Sequence, residues 1–410
     1  MRGGIEAPDF KNSRILLSPK LVIILTLFID AIGFGIVYPL LTFYAETFHV
    51  GTTALSLMVA SFFLMNFIFS PILGRISDNV GRRPVLIASI LTSLASYLLF
   101  AFADSFFLLL LSRIVAGLAT EVAVAQAYIA DITPKKQRAT GIGMLGAAKG
   151  TGFIIGPGIA GLLSVYGYWA PGLAAAFLTF INLLFALFFL PETIYKASSD
   201  VQSSQTSIRG FFLKIKTVFS NPLTGGVLII SFFVFFAFSA LPVIGPLLGE
   251  GIFGFGSVEN SYVFMYIGVI GIIMQLVLIG KLSDRFGEEK LLTFSPLLIM
   301  AAMFFQPLTT NLLFYMIALG CMSAGFGIVR TVIPSYLSNR CSATEQGSIL
   351  GVANSVSSIA YIPGPIIGGF LFEFAGMSIP FFVSAAILLI AFVIGYCIFF
   401  VNKPKVKDCY

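Results

Sequence analysis

Charge is what this chain has least of. Only 10% of its 410 residues are charged, against 58% hydrophobic, where a soluble domain carries about 25% charged residues. A surface so poor in charge is not kept in water, so the solvent for most of the chain is lipid. Histidine is almost missing. The one example, His49, follows shortly after Glu46 in a short polar stretch and reads as a solvated residue. Cysteine is scarce too: Cys321, Cys341, Cys397 and Cys409 form no CxxC pair, so neither a disulfide nor a metal site is expected. The sequence also lacks a GxSxG nucleophile motif and a glycine-rich ATP-binding loop. An intramembrane enzyme and an ATP-driven machine are therefore not expected.

Apolar runs about 20 residues long fill the remainder. They fall at 20–44, 54–73, 84–103, 106–131, 139–165, 170–190, 223–248, 258–280, 290–308, 311–337, 347–372 and 379–401. The first is longer than a signal-peptide core and no small-residue cleavage site follows it, so it reads as a retained span.

The basic residues are unevenly placed. Outside the spans they occur at the N-terminus (Arg2, Lys11, Arg14, Lys20), at the C-terminus (Lys403, Lys405, Lys407) and in alternate connections, which hold Arg75, Arg82, Arg83, Lys135, Lys136, Arg138, Lys196, Arg209, Lys214, Lys216, Lys281, Arg285, Lys290 and Arg340. The other connections hold Glu46, Asp104, Glu250 and Glu259 instead. Positive charge stays on the cytoplasmic side of a membrane. Both termini are thus expected in the cytoplasm of a multi-pass plasma-membrane protein. The net charge of +6 is a topology signal and calls for no nucleic acid. Trp169 falls at an outer boundary, where indole is favoured.

The chain repeats itself. GRISDNVGRRPVL begins at Gly74 and GKLSDRFGEEKLL at Gly280, half the chain further on; FIIGPGIAG from Phe153 is echoed by YIPGPIIGG from Tyr361. Since six spans separate the copies, both face the same side, as in parallel repeats related by an axis along the membrane normal. The expected organisation is an all-α membrane protein of twelve transmembrane helices in two pseudo-symmetric six-helix bundles, 1–195 and 222–410. The polar, Ser-rich segment 196–221 joins them.

Several motifs occur in order: FIDAIGFGIVYPLL in span one, GRISDNVGRRP after span two, RIVAG and AYIADIT in span four, GFIIGPGIAG in span five and FFLPET after span six. In these the chain resembles the major facilitator superfamily over nearly its whole length, and within it the twelve-span drug:proton antiporters, the tetracycline exporters above all. The resemblance implies the major facilitator fold, multidrug efflux or antibiotic resistance by antiport, and a proton gradient in place of a cofactor. The antiporter-type motif falls on Gly152, Gly156, Pro157 and Gly161.

The motifs also have physical readings. Gly74 and Gly81 permit tight turns, and Arg82 and Arg83 suit an anionic inner leaflet. Asp78 is placed to face a helix N-terminus or a cation of the other half and so to latch one conformation. Asp284 is the weaker copy, because Glu288 and Glu289 replace the arginines. In span five the glycines and Pro157 make a smooth, kinked packing face.

Charges inside spans carry the functional reading, because each is costly there and usually faces a cavity or another charge. Asp30, Glu121, Lys149 and Arg330 each lie about ten residues, or about 15 Å, from a membrane face. Arg113 sits nearer the outer side. They point to a central polar site in which Asp30, Glu121 and Arg113 handle protons and Asp30, Glu121, Gln126, Lys149 and Arg330 meet substrate. A proton carrier must bind and release protons near physiological pH, which a carboxyl in water does not do. The chain departs from the tetracycline exporters in having no acid inside spans seven to twelve away from the membrane faces and no His in span eight. Two mid-membrane cations suit an anionic or zwitterionic substrate. The expectation is a monomeric, proton-coupled exporter of an amphipathic, drug-like small molecule; uptake of an organic anion or small metabolite is the alternative.

Overall fold

The computed structural model describes residues 18–134, 138–193, 221–340 and 346–401. They are helical almost throughout. The spans are α1 (Pro19–Glu46), α2 (Thr52–Val80), α3 (Arg82–Ala101), α4 (Phe106–Ile132), α5 (Arg138–Ser164), α6 (Trp169–Phe189), α7 (Pro222–Ser239, continued by a short helix Leu241–Phe253), α8 (Ser257–Phe286), α9 (Glu288–Leu308), α10 (Leu312–Ser338), α11 (Ile349–Ala375) and α12 (Ile379–Val401). Eleven helices are long and apolar enough to cross a bilayer. The 27-residue α5 is as long but stands outside that set; its glycines and Lys149 make it the least apolar of the series. Linker residues 196–220, Arg2, Lys11, Arg14, Lys135, Lys136, Cys341, Lys403, Lys405, Lys407 and Cys409 lie outside the described residues, while Lys20 and Asn221 lie within them.

Polar caps start several helices. The Ser18 hydroxyl accepts from the Leu21 amide at 3.3 Å, and the Asn311 side chain accepts from Leu313 at 2.9 Å. Such caps satisfy amides that have no partner within their helix.

The sequence repeat is a structural repeat. Gly81 and Gly287 separate α2 from α3 and α8 from α9 with φ of 116° and 81°, a region that favours glycine. Gly74 behaves otherwise than expected. It lies inside α2, whose helix runs on to Val80, so the motif is helical up to its second glycine and only Gly81 turns the chain.

Three further spans are interrupted. α4 breaks at Ala119 and Thr120, which take φ/ψ of −77°/120° and −127°/49°. α7 breaks at Ala240, and α11 between Ala360 and Pro363. Irregular backbone at membrane depth survives where it is buried in protein or lines a cavity.

The C-terminal helices share one core, centred on Val227, Leu292, Val329 and Leu388. The N-terminal helices have two. One lies toward the basic connections around Leu86 and Tyr128. The other lies toward the acidic connections around Leu40 and Phe100 and takes in Val243 and Leu247 from the C-terminal half. The halves thus share a core on the acidic face alone.

Candidate substrate and coupling site

The glycines of α5 divide their labour. A Cβ on Gly156 would lie 2.6 Å from the Gly35 backbone, and one on Gly152 would lie 2.6 Å from the Phe28 carbonyl. These two let α5 press on α1, which holds Asp30 against Lys149. Gly161 instead faces Ser261 and Tyr262 of α8, where an added Cβ would come no nearer than 3.3 Å to any neighbour, and so packs one half on the other.

Described residues bond the halves together on the acidic side. The Thr42 hydroxyl donates to the Pro242 carbonyl at 3.1 Å, Asn260 to the Pro39 carbonyl at 2.7 Å, and the Thr53 amide to Glu373 at 2.6 Å. The Glu46 carboxyl hydrogen-bonds that of Glu250. Beside them the Tyr168 hydroxyl bonds Ser257, and burial, opposed by that bond and aided by the two acids, pushes the phenol up. On the basic side the ion pairs among the described residues, such as Arg82–Asp131 and Arg340–Glu289, each stay within one half. The cleft between the halves is closed at the acidic face and open toward the basic one.

That cleft holds a cavity of about 700 Å³. Asp30, Arg113, Glu121, Gln126, Lys149 and Arg330 all line it, so the fold brings the six expected residues together. Glu121 is the first residue after the break in α4; it is buried and accepts a 2.6 Å hydrogen bond from Ser93. Arg113 is buried over the Phe100 ring, 5.4 Å from its centre. Its Nε donates to Ser112 at 3.1 Å, and one Nη has no protein partner. Asp30 lies within electrostatic reach of Glu121 and Lys149. Lys149 also feels Arg330 across the cleft. Among the described residues none of these charges makes a direct ion pair.

Residue typing missed two features. Tyr97 stands within reach of Asp30, Arg113 and Glu121 together and packs 3.1 Å from where a Gly33 side chain would begin. An aromatic wall completes the cavity: Phe34 stacks on Tyr38 at 4.9 Å and leans on Phe62 at 5.4 Å, while Tyr38 meets Phe264 of the other half edge-on. Asp30, Phe34 and Tyr38 recur every fourth residue on α1, a spacing that places them on one helix face and was readable in the sequence.

The basic-face motif corrects two expectations. Arg82 does not face lipid headgroups. It is buried because its guanidinium is bound on several sides, 2.6 Å from Asp78, 2.9 Å from Asp131 and 2.6 Å from the Ser77 hydroxyl. Arg83 donates to the Leu187 carbonyl at 2.6 Å, and the amides of Arg82 and Arg83 donate to Glu192. Asp78 accordingly has its cation on its own half, four residues along the chain, rather than across the cleft. Asp284 makes no ion pair among the described residues.

A family model described as the Major Facilitator Superfamily matches residues 23–365 and 277–409. Multidrug resistance protein 2 of Bacillus subtilis (strain 168) is 26% identical over 95% of this chain and 96% of its own length. Tetracycline resistance protein, class E, of Escherichia coli is 30% identical over 85% of this chain and 86% of its own. The crystal structure of the human organic anion transporter MFSD10 (TETRAN) superposes with a TM-score of 0.70 at 22% identity, over 92% of this chain and 98% of that one.

Proposed function

Because this chain belongs to the Major Facilitator Superfamily and is a multi-pass membrane transporter rather than an enzyme, we propose that it exports small amphipathic compounds in exchange for protons. Its two six-helix halves, 1–195 and 222–410, rock about the central cavity. The observation that carries this reading is the cavity itself. It pairs an aromatic wall, suited to flat apolar rings, with two carboxyls, Asp30 and Glu121, on its lining at membrane depth. The multidrug and tetracycline resistance relatives support export of drug-like molecules.

The basic face is the cytoplasmic one by its lysines and arginines, which puts both termini inside the plasma membrane's cytoplasmic boundary and makes this an inward-open conformation. Substrate enters from the cytoplasm or inner leaflet. Closing of the basic face and opening of the acidic face then deliver it outside. Protonation of Asp30 favours one of these states and substrate the other, so that each biases the same equilibrium. The protein works as a monomer, since one chain supplies both halves of the site.

The test is Asp30→Asn in proteoliposomes loaded against a pH gradient, with a fluorescent amphipathic dye as cargo. Dye binding and dye-for-dye exchange are expected to survive while pH-driven accumulation vanishes. Full proton-driven transport by the variant removes Asp30 from the mechanism and leaves Glu121 as the next carrier.

The cavity's cations favour a second reading, uptake of an organic anion or small metabolite. It differs in the direction of net flux under the same gradient, which the same vesicles report.

A further inference from the structure

Arg330 is the charge in the cavity that the fold does not balance. Among the described residues no acid of the C-terminal half lines the cavity. Arg330 makes no ion pair among the described residues and is exposed to the cleft. The Tyr361 hydroxyl feels its charge, and Asn354 and Gln275 are among the uncharged residues that line the same cavity. Across the cleft stands Lys149, a second cation whose charge Arg330 opposes. Asp30 and Glu121 offset Lys149 from its own side; no acid among the described residues pairs with Arg330. A guanidinium kept at this depth for structure is paired, because an unpaired one is costly. An unpaired one facing a second cation across a gap is arranged for something that arrives.

We propose that the transported compound carries an oxyanion group, a carboxylate, sulfonate or phosphate, which seats between Arg330 of α10 and Lys149 of α5. The planar guanidinium fork takes two oxygens side by side and the ammonium takes a point contact. The apolar body of the molecule lies along Phe34, Tyr38 and Phe62. The two cations belong to opposite halves, which gives the anion a second effect. In the empty cleft they repel and hold the halves apart. An anion between them turns that repulsion into attraction, and it gains most when the halves approach. A ligand shifts an equilibrium only by its differential affinity for the two states, and the bridged geometry is such a difference. The anion both selects the substrate and triggers closing of the basic face.

This inference rests on the cavity being the transport site, and the experiment separates the two. The probes are anilinonaphthalene sulfonate and N-phenylnaphthylamine, the same ring system without the sulfonate. Binding is read by fluorescence on the full chain in nanodiscs of phosphatidylcholine, a lipid with no net charge to compete. Arg330→Gln and Lys149→Gln are each expected to weaken the sulfonate probe about tenfold or more, Arg330→Lys to weaken it less, and all three to change the neutral probe far less than the sulfonate. Each variant is first checked for wild-type melting and a monodisperse elution. Spin labels on the basic ends of α2 and α8 are expected to move together when the sulfonate probe is added and to stay apart with the neutral one.

Wild type that binds the neutral probe but not the sulfonate, or a sulfonate affinity indifferent to Arg330→Gln and Arg330→Lys, overturns the proposal. Arg330-dependent sulfonate binding without transport of either probe upholds the anion site and refutes the transport reading.

Discussion

The Arg82 guanidinium at the start of α3 lies 2.9 Å from the Asp131 carboxylate at the end of α4. The second half holds a related contact with its signs exchanged, one position further along, since Glu289 is the counterpart of Arg83 and Glu288 that of Arg82. There Glu289, at the start of α9, accepts from Arg340 just past α10 at 2.6 Å, and Arg340 lies over the Tyr336 ring at 4.3 Å. Each half thus ties the start of the helix after the turning glycine to the end of the next helix by an ion pair, at positions that do not coincide and with the signs swapped. The N-terminal copy is the more enclosed. Arg82 is buried, whereas both members of the C-terminal pair are substantially exposed.

That asymmetry sets the first prediction. Asp78 is more than half exposed, so Asp78→Asn is expected to cost about 1 kcal/mol or less of stability. On the proposal that the carboxylate latches the basic face when the halves rock, turnover should fall while substrate affinity holds. Asp284→Asn should do less. Arg82→Gln strips Asp78, Asp131 and Ser77 of their shared donor and is expected to lower the yield of folded protein. Paired kcat and KM values from vesicle uptake decide the matter; unchanged kcat in Asp78→Asn leaves the motif a purely structural role.

The second prediction concerns α5. A methyl at Gly156 would meet the α1 backbone at 2.6 Å, where no flexible side chain can yield. Gly156→Ala should destabilise by about 1–3 kcal/mol and spread α1 from α5. Gly161→Ala meets Tyr262 at a more forgiving distance and should melt near wild type. Melting of the purified variants in detergent checks the order, and equal melting of the two would contradict it.

The third prediction concerns Glu121 and Lys149. They sense each other without direct contact, and Glu121 has Ser93 as a fixed partner. Removing one charge leaves the other less balanced in a low-dielectric site, which costs more than removing both. Glu121→Gln with Lys149→Gln should therefore express better than either single variant. Strictly additive losses in the double variant would show that the two act independently.

The fourth prediction is a pH effect at the acidic face. Glu46 and Glu250 come from opposite halves and hydrogen-bond carboxyl to carboxyl. Such a bond requires a shared proton, since an ionised carboxylate has no donor. The Tyr168 hydroxyl faces the pair, and among the described residues no lysine or arginine makes an ion pair with either acid. The proton is present at low pH and leaves as pH rises, so closure of the acidic face should weaken on raising the pH. Glu46→Gln supplies a donor that does not titrate and should make closure pH-independent. Distances between labels on the acidic ends of α1 and the Leu241–Phe253 helix, followed across pH, provide the measurement.

Spans, the internal repeat and the central charges were legible in the sequence for one reason. Lipid penalises charge so heavily that Asp30, Glu121, Lys149 and Arg330 announce themselves by residue type alone. Arg82 was misread because an arginine beside a membrane face looks the same whether it meets headgroups or Asp131; the difference lies in a partner some 49 positions away. The break in α4 was invisible for a related reason. The stretch Gly117–Val122 holds no proline, and what supports it is tertiary, including the Asn66 amide at 3.4 Å from the Ala119 carbonyl. The aromatic wall was hidden by abundance, since 44 phenylalanines give no contrast until one of them sits beside Asp30 on the same face.

The hydrogen bond from Thr42 to the Pro242 carbonyl has a consequence for solvent. A helical carbonyl ordinarily accepts from the amide four residues on. For Pro242 that residue is Pro246, which has no N–H to give. When the acidic face opens and Thr42 withdraws, the carbonyl has no donor left within its own helix, and a water molecule must take the hydroxyl's place. Opening is thereby tied to hydration of the parting surfaces. Its rate should fall as the water activity outside is lowered with an excluded osmolyte, and Pro246→Ala, which restores the missing amide, should make the rate less sensitive to osmotic stress.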